Sequence, residues 1–233
     1  ELYARRSRNA DVERVLKVYV ERAEDKATAQ ISVGRWAASR RNFELAVFFL
    51  EAAVQPKDAS ATLWLELART YAAIGRLDDM RRALEAYLKQ AGETPDALAD
   101  VASLYAANRM YEQAEKVLKI GVKNDPKAIE SVQSLERLYR EWGRNAKVHE
   151  VYDAFIKARG SQPADFSMVA SRFMRQNEWD DALPYLLQAA AKGEASAWLQ
   201  VADVYKKQRK ERDMKEALTK FLAASSDRRA SLE

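Results

Sequence analysis

Among its 233 residues the chain has no cysteine and a single histidine, His149. The first absence removes disulfides, thiolate metal sites and thiol nucleophiles together. The second removes the commonest general base, and it leaves no partner for His149 as a metal ligand. His149 therefore reads as a surface or half-buried helix residue. Glycine and proline are scarce, at 7 and 5, and no two glycines lie closer than 17 residues apart, so no Gly-rich phosphate loop exists. No apolar run approaches the roughly 18 residues of a membrane helix; the stretch Leu45–Val54 is interrupted by Glu51. Neither sign of charge dominates, with 39 basic and 35 acidic residues. That balance argues against a polycationic nucleic-acid tail.

What is present is helix-rich: 48% hydrophobic and 32% charged residues, a composition that folds without disorder bias. Its organising feature is a period of 34 residues. Trp64, Leu67, Ala68 and Tyr71 become Leu98, Val101, Ala102 and Tyr105, then Val132, Leu135, Glu136 and Tyr139. A fixed period of this length is the mark of a repeat architecture. Within one period the run is Val101-Ala102-x-x-Tyr105, Tyr111-x-x-Ala114-x-x-x-Leu118, then Gly121 and Pro126. Small residues at Ala102, Ala114 and Gly121 suit close helix approach, Tyr105 suits the space between units, and Pro126 ends the second helix.

These residues resemble the tetratricopeptide repeat, in which each unit is two antiparallel helices, A and B. The resemblance implies an all-α, right-handed α-solenoid of helical hairpins over the whole chain, 1–233. Full repeats are expected at 27–60, 61–94, 95–128, 129–162, 163–194 and 195–228. Residues 1–26 read as the second half of a truncated repeat, with an A-to-B turn at Arg8-Asn9, and 229–233 as a tail or cloning scar. Met80, Val148 and Met214 stand at a slot where the repeat has alanine, which implies looser packing there. The fifth repeat is two residues short and carries Pro184 in its helix B, which is expected to alter the pitch over 184–195.

No catalytic, metal or cofactor residues are expected. Carboxylate pairs such as Asp78-Asp79 and Asp180-Asp181 begin helix B, where acids stabilise the helix N-terminus. The resemblance places ligands on the inward face of helix A. There the sequence offers Arg35, Ser39, Leu65, Arg69, Ala73, Asp96, Asp100, Arg137, Arg140, Arg175 and Lys206. Ala38, Ser39, Ala72, Ala73, Ala106 and Ala107 make a floor of small side chains with arginines around it. This predicts a groove for a protein or peptide segment with an apolar middle and acidic flanks, since guanidinium forks suit carboxylates. Pairing of the same arginines with Asp96, Asp100 or Glu141 is the alternative. The Lys/Asn carboxylate clamp of chaperone-binding members has no match at Ile31/Arg35, Leu65/Arg69 or the equivalent pairs.

A second basic set recurs in the A-to-B turns: Arg6, Arg8, Arg40, Arg41, Arg76, Arg109, Arg144 and Arg209. At about one or two cations per unit, with units on the order of 10 Å apart, it is too sparse for duplex phosphates, which come about every 1.7 Å. Asp11, Glu44, Asp78 and Glu112 follow directly, so local ion pairing is the expected account. Three readings result. The first is a non-catalytic interaction scaffold, by analogy in a bacterial envelope or exopolysaccharide-secretion assembly. The second is the targeting arm of a larger enzyme such as a glycosyltransferase. The third is a polysaccharide or polyanion guide, for which Trp36, Trp142 and Trp179 are candidate sugar platforms. The absence of cysteine suits a periplasm, and a cytoplasm fits as well; oligomeric state is not legible.

Overall fold

The computed structural model describes the backbone of residues 2–55 and 59–230 and the side chains of residues 10–55 and 59–225. Among the described residues there is no strand, and thirteen helices follow one another along the chain. Two compact units divide it, Glu1–Gly121 and Val122–Glu233, and the division falls inside a helix.

In the first unit α1 (Leu2–Arg22) precedes α2 (Lys26–Ser39), α3 (Phe43–Ala53), α4 (Ala61–Ala73), α5 (Leu77–Ala91), α6 (Pro95–Ala107) and most of α7 (Tyr111–Asn124). The second holds α8 (Ile129–Glu141), α9 (Ala146–Ala158), α10 (Pro163–Arg175), α11 (Trp179–Ala191), α12 (Ala197–Lys207) and α13 (Glu211–Ala230). Within each unit helices pack against their neighbours in sequence: α2 on α3, α3 on α4, α4 on α5, and in the second unit α8 on α9, α10 on α11 and α12 on α13. These are tetratricopeptide-like hairpins, in which each pair buries its faces against the next pair. No helix among the described residues is long and apolar enough to cross a membrane.

Local chemistry starts and stops these helices. Asp25, Ser60 and Thr94 accept the backbone N–H three residues on and so cap α2, α4 and α6. Every A helix from α2 onward ends in the same turn. A backbone N–H bonds back five residues along the chain, Asn42 to Ala37 at 3.0 Å, Arg76 to Tyr71 at 3.0 Å and Met110 to Tyr105 at 2.9 Å. Arg144 to Tyr139, Glu178 to Phe173 and Lys210 to Tyr205 repeat it. The residue before each donor is left-handed: Arg41, Gly75, Arg109, Gly143, Asn177 and Arg209. That spacing is 34 residues throughout and 32 at the last step, where the fifth repeat is short.

Arg41, Arg109 and Arg209, at φ near 60°, hold a conformation that costs a side-chain-bearing residue roughly 1–2 kcal/mol. Replacing Arg41 and Arg109 by glycine should therefore raise stability by about 1 kcal/mol per site, after glycine's extra chain entropy is counted. Urea unfolding of the single and double variants checks this; an unchanged or lower midpoint would contradict it.

The expected turn at Arg8-Asn9 is absent, because α1 runs unbroken from Leu2 to Arg22. This stretch lacks glycine and proline and is rich in helix formers, so continuing the helix is cheaper than turning. Of the residues at that slot, Met80 and Val148 are buried, at 0% and 1% exposed, and Met214 is partly buried. α11 continues through Pro184, keeping helix from Trp179 to Ala191.

Candidate functional site: the A-helix face

In the first unit the A helices α2, α4 and α6 carry a ladder of ion pairs. The Arg35 guanidinium on α2 donates through Nε and Nη2 to the two carboxylate oxygens of Glu66 on α4, both at 2.8 Å. The same step recurs one repeat later, where Arg69 on α4 reaches Asp100 on α6 at 3.6 Å. Asp100 also accepts the Tyr87 hydroxyl at 3.1 Å. The hydrogen bonds it donates to Glu66, more than the charge of that carboxylate, hold the Arg35 guanidinium above its ordinary value against the opposing effect of burial. These pairs are largely solvated, so each contributes at most about 1 kcal/mol. Their consequence is that both arginines are already matched.

Between the pairs lies a cleft of about 290 Å³, lined by Arg35, Ala38, Phe43, Leu50, Glu66, Arg69 and Thr70. Its walls come from α2, α3 and α4, and the Thr70 hydroxyl is turned away into the Glu66 carbonyl at 2.8 Å. The bottom is therefore apolar and the rim alternates in charge. Ala38 keeps it open, because any larger side chain there would occupy the space. Gly34, one turn before, packs directly on Leu50: a Cβ at Gly34 would stand 2.7 Å from Leu50 Cγ.

The remaining expected contacts divide. Ser39, Ala73 and Asp96 are exposed, whereas Leu65 is buried and serves packing. In the second unit Arg137, Arg175 and Lys206 are exposed and form no ion pair among the described residues. Arg140 is diverted: it donates to Glu136 at 3.0 Å and grips Glu178 at 2.5 and 2.7 Å.

Arg140 belongs to a cluster that sequence reasoning passed over. Glu136, 3% exposed, accepts the Tyr152 hydroxyl at 2.5 Å, Arg172 Nε at 2.6 Å and Gln176 Nε2 at 2.9 Å. Burial pushes its carboxyl up, but the hydrogen bonds from Tyr152, Arg172 and Gln176 outweigh it and leave the group below the ordinary glutamate value. Burial, then the hydrogen bond to Glu136, pushes the Tyr152 phenol up. The available signal was Glu136 itself, a charged residue in the register of Ala68, Ala102 and Ala170.

His149 is half-buried and partnered, with Nε2 at 3.0 Å from Asp181, Nδ1 at 3.2 Å from the Tyr185 hydroxyl, and its ring stacked on Phe173 at 5.1 Å. In the turns, Arg76 pairs with Asp79 at 2.5 Å and with Glu51 at 3.4 Å rather than with Asp78. Arg40 lies over Trp36 at 4.4 Å and Arg144 over Trp142 at 4.0 Å, so both candidate sugar platforms carry a guanidinium. Trp179 likewise has Lys207 over its ring at 5.6 Å. The side chains of Arg6 and Arg8 lie outside the described residues, as does the Leu232-Glu233 end.

No family model matches the chain. No curated protein matches it either. Solved structures do. A tetratricopeptide repeat protein from Parabacteroides merdae is 14% identical over 96% of this chain and 88% of its own, with a TM-score of 0.46. A MamA structure is 18% identical over 73% of this chain and 93% of its own, at 0.42. Pseudomonas aeruginosa pilF is 17% identical over 82% and 88%, also at 0.42. At this distance the likeness carries no function, and the hairpins rest on the helices and the recurring turns themselves.

Proposed function

We propose that the chain is a non-catalytic protein-interaction scaffold that holds a partner segment on the A-helix face of its first unit. The observation that carries this is the apolar cleft between α2 and α4, open at Ala38 and framed by Arg35–Glu66 and Arg69. A cleft of about 290 Å³ accepts one bulky apolar side chain, and burying such a side chain supplies roughly 1.5–3 kcal/mol. The alternating rim then selects what flanks the anchor. A carboxylate on the partner gains Arg35 or Arg69 only by displacing Glu66 or Asp100, so apolar anchoring leads and charge sets register.

The test is a peptide selected from a random display library against the intact chain. Selected peptides should share one large apolar residue, and Ala38→Trp should weaken their binding at least tenfold while the thermal midpoint stays put. The double variant Arg35→Glu, Arg69→Glu should weaken it as well. Affinity within twofold of the parent in both variants would discard the groove.

A further inference from the structure

In the first unit α1 carries apolar residues on two faces. The inner one is accounted for: Val20, with Leu16 and Ala23 beside it, packs into a core with Val33 and Ala37 of α2 and Ala46 and Phe49 of α3. The outer face is not. Val15 and Tyr19 are 63% and 56% exposed, and Val12 and Val18 are 39% exposed each. One repeat on, the residues in the register of Val12, Val15 and Tyr19 are Ala46, Phe49 and Ala53. Two repeats on they are Met80, Ala83 and Tyr87, and all six are buried. Thus α1 turns to solvent the positions that α3 and α5 bury in the hairpin core. A contiguous apolar stripe of this kind on a folded chain marks a contact surface.

The order of residues along this face says what covers it. Asp11, Val15, Val18 and Arg22 follow at steps of four, three and four residues and are all exposed. That is the spacing of a seam between two helices. The seam also reads the same in reverse. Laid antiparallel on a second copy of itself, Asp11 meets Arg22 and Val15 meets Val18, and a two-fold axis makes each pairing occur twice. A parallel arrangement would set Asp11 against Asp11 and Arg22 against Arg22. Neither charge is firmly held. Arg22 forms no ion pair among the described residues. Asp11 reaches Arg14 at 3.4 Å with both side chains well exposed, a contact of little value in water. Self-complementary order is what a second copy requires and a different partner does not.

We propose that α1 is a homodimer interface, in which two copies of the chain pair their α1 helices antiparallel about a two-fold axis. Val15 packs on the partner's Val18, Asp11 pairs with the partner's Arg22, and Val12 and Tyr19 widen the buried stripe. The seam shares no residue with the cleft between α2 and α4, so failure of one site leaves the other standing.

Sedimentation equilibrium of the whole chain between about 5 and 500 µM tests this, with a Kd on the order of 50 µM expected for so short a seam. Val15→Glu changes an exposed residue, so the fold is kept, and it should weaken association about tenfold or more by setting a charge against valine. Asp11→Arg and Arg22→Asp should each weaken it, because each places like charges opposite one another twice. Mixed in equal amounts, those two variants present opposite charges at both ends of the seam. Their heterodimer should form about fivefold more tightly than either variant pairs with itself. Circular dichroism that matches the parent identifies the variants as folded. A chain that stays monomeric across this range would overturn the proposal. So would association that Val15→Glu leaves unchanged, or a mixture that associates no better than its two components.

Discussion

Glu136→Ala is expected to lower stability by about 3–5 kcal/mol, the cost of breaking a buried ion pair from one side. The variant leaves Arg172, hydrogen-bonded to Glu136 at 2.6 Å, without its anion, and deprives the buried Tyr152 hydroxyl of its acceptor. Arg140 suffers less, because Glu178 still holds it through two contacts. Glu136→Gln retains an acceptor and much of the volume, so it should lose less than the alanine variant. Chemical denaturation read by tyrosine and tryptophan fluorescence measures both; a loss under 1 kcal/mol for the alanine variant would sink the structural role assigned to this cluster.

The same residue sets an acid dependence. The carboxyl of Glu136 is lower in the folded chain than the ordinary glutamate value of about 4.3. Its stabilisation is therefore fully present above that value and is lost as the pH falls through the lower, folded one. The parent should lose more stability than Glu136→Gln between about pH 4 and more acidic conditions. Parallel slopes in the two proteins would show that Glu136 titrates as it does in the unfolded chain.

Gly34→Val is the second large effect, at roughly 3 kcal/mol destabilising. Alanine is the better helix former by about 1 kcal/mol, so helix propensity alone predicts the opposite sign for Gly34→Ala. Packing decides otherwise. The added Cβ would meet Leu50 Cγ and Cδ2 at 2.7 Å, and Leu50, 1% exposed, can give way only toward the cleft it lines. Gly34→Ala should cost about 1–2 kcal/mol net, and valine more because it is branched at the clashing atom. Leu50 also lines the apolar cleft, so the displacement should weaken peptide binding beyond the loss of folded protein. Thermal melts, with peptide titration at a temperature where both variants are folded, separate the two effects. A stabilised Gly34→Ala would mean that Leu50 moves aside freely.

These two predictions concern one register position. Gly34, Ala68, Ala102, Glu136, Ala170 and Ala202 follow one another at the repeat interval. The residue sixteen positions on is Leu50 opposite Gly34 and Tyr152 opposite Glu136. Leucine also stands opposite Ala68, Ala102, Ala170 and Ala202, at Leu84, Leu118, Leu186 and Leu218, so a methyl group fits in those repeats and collides only at Gly34, where a Cβ would stand 2.7 Å from Leu50. Where it presents tyrosine, the hydroxyl donates to the Glu136 carboxylate at 2.5 Å. The slot thus takes alanine against leucine as its rule, and Gly34 and Glu136 depart from it because of how closely Leu50 approaches and what Tyr152 donates.

Sequence alone determined the all-α hairpins, because the apolar spacing and the repeat period act over a few residues and recur from α2 onward with one short step of 32. It also placed Arg35, Arg69 and Ala38 on one face, since residues a repeat apart must share a side of stacked helices. Tertiary structure decided what those residues do. Whether Arg69 is open to a partner depends on Asp100, 31 positions away, and whether Glu136 can be buried depends on Arg172, 36 away. The left-handed Arg41 and Arg109 belong to the same category: intrinsic preference opposes them, and only the packing of two helices against each other imposes the turn. Charge pairing and strain are properties of approach distances, and no single stretch of chain contains them.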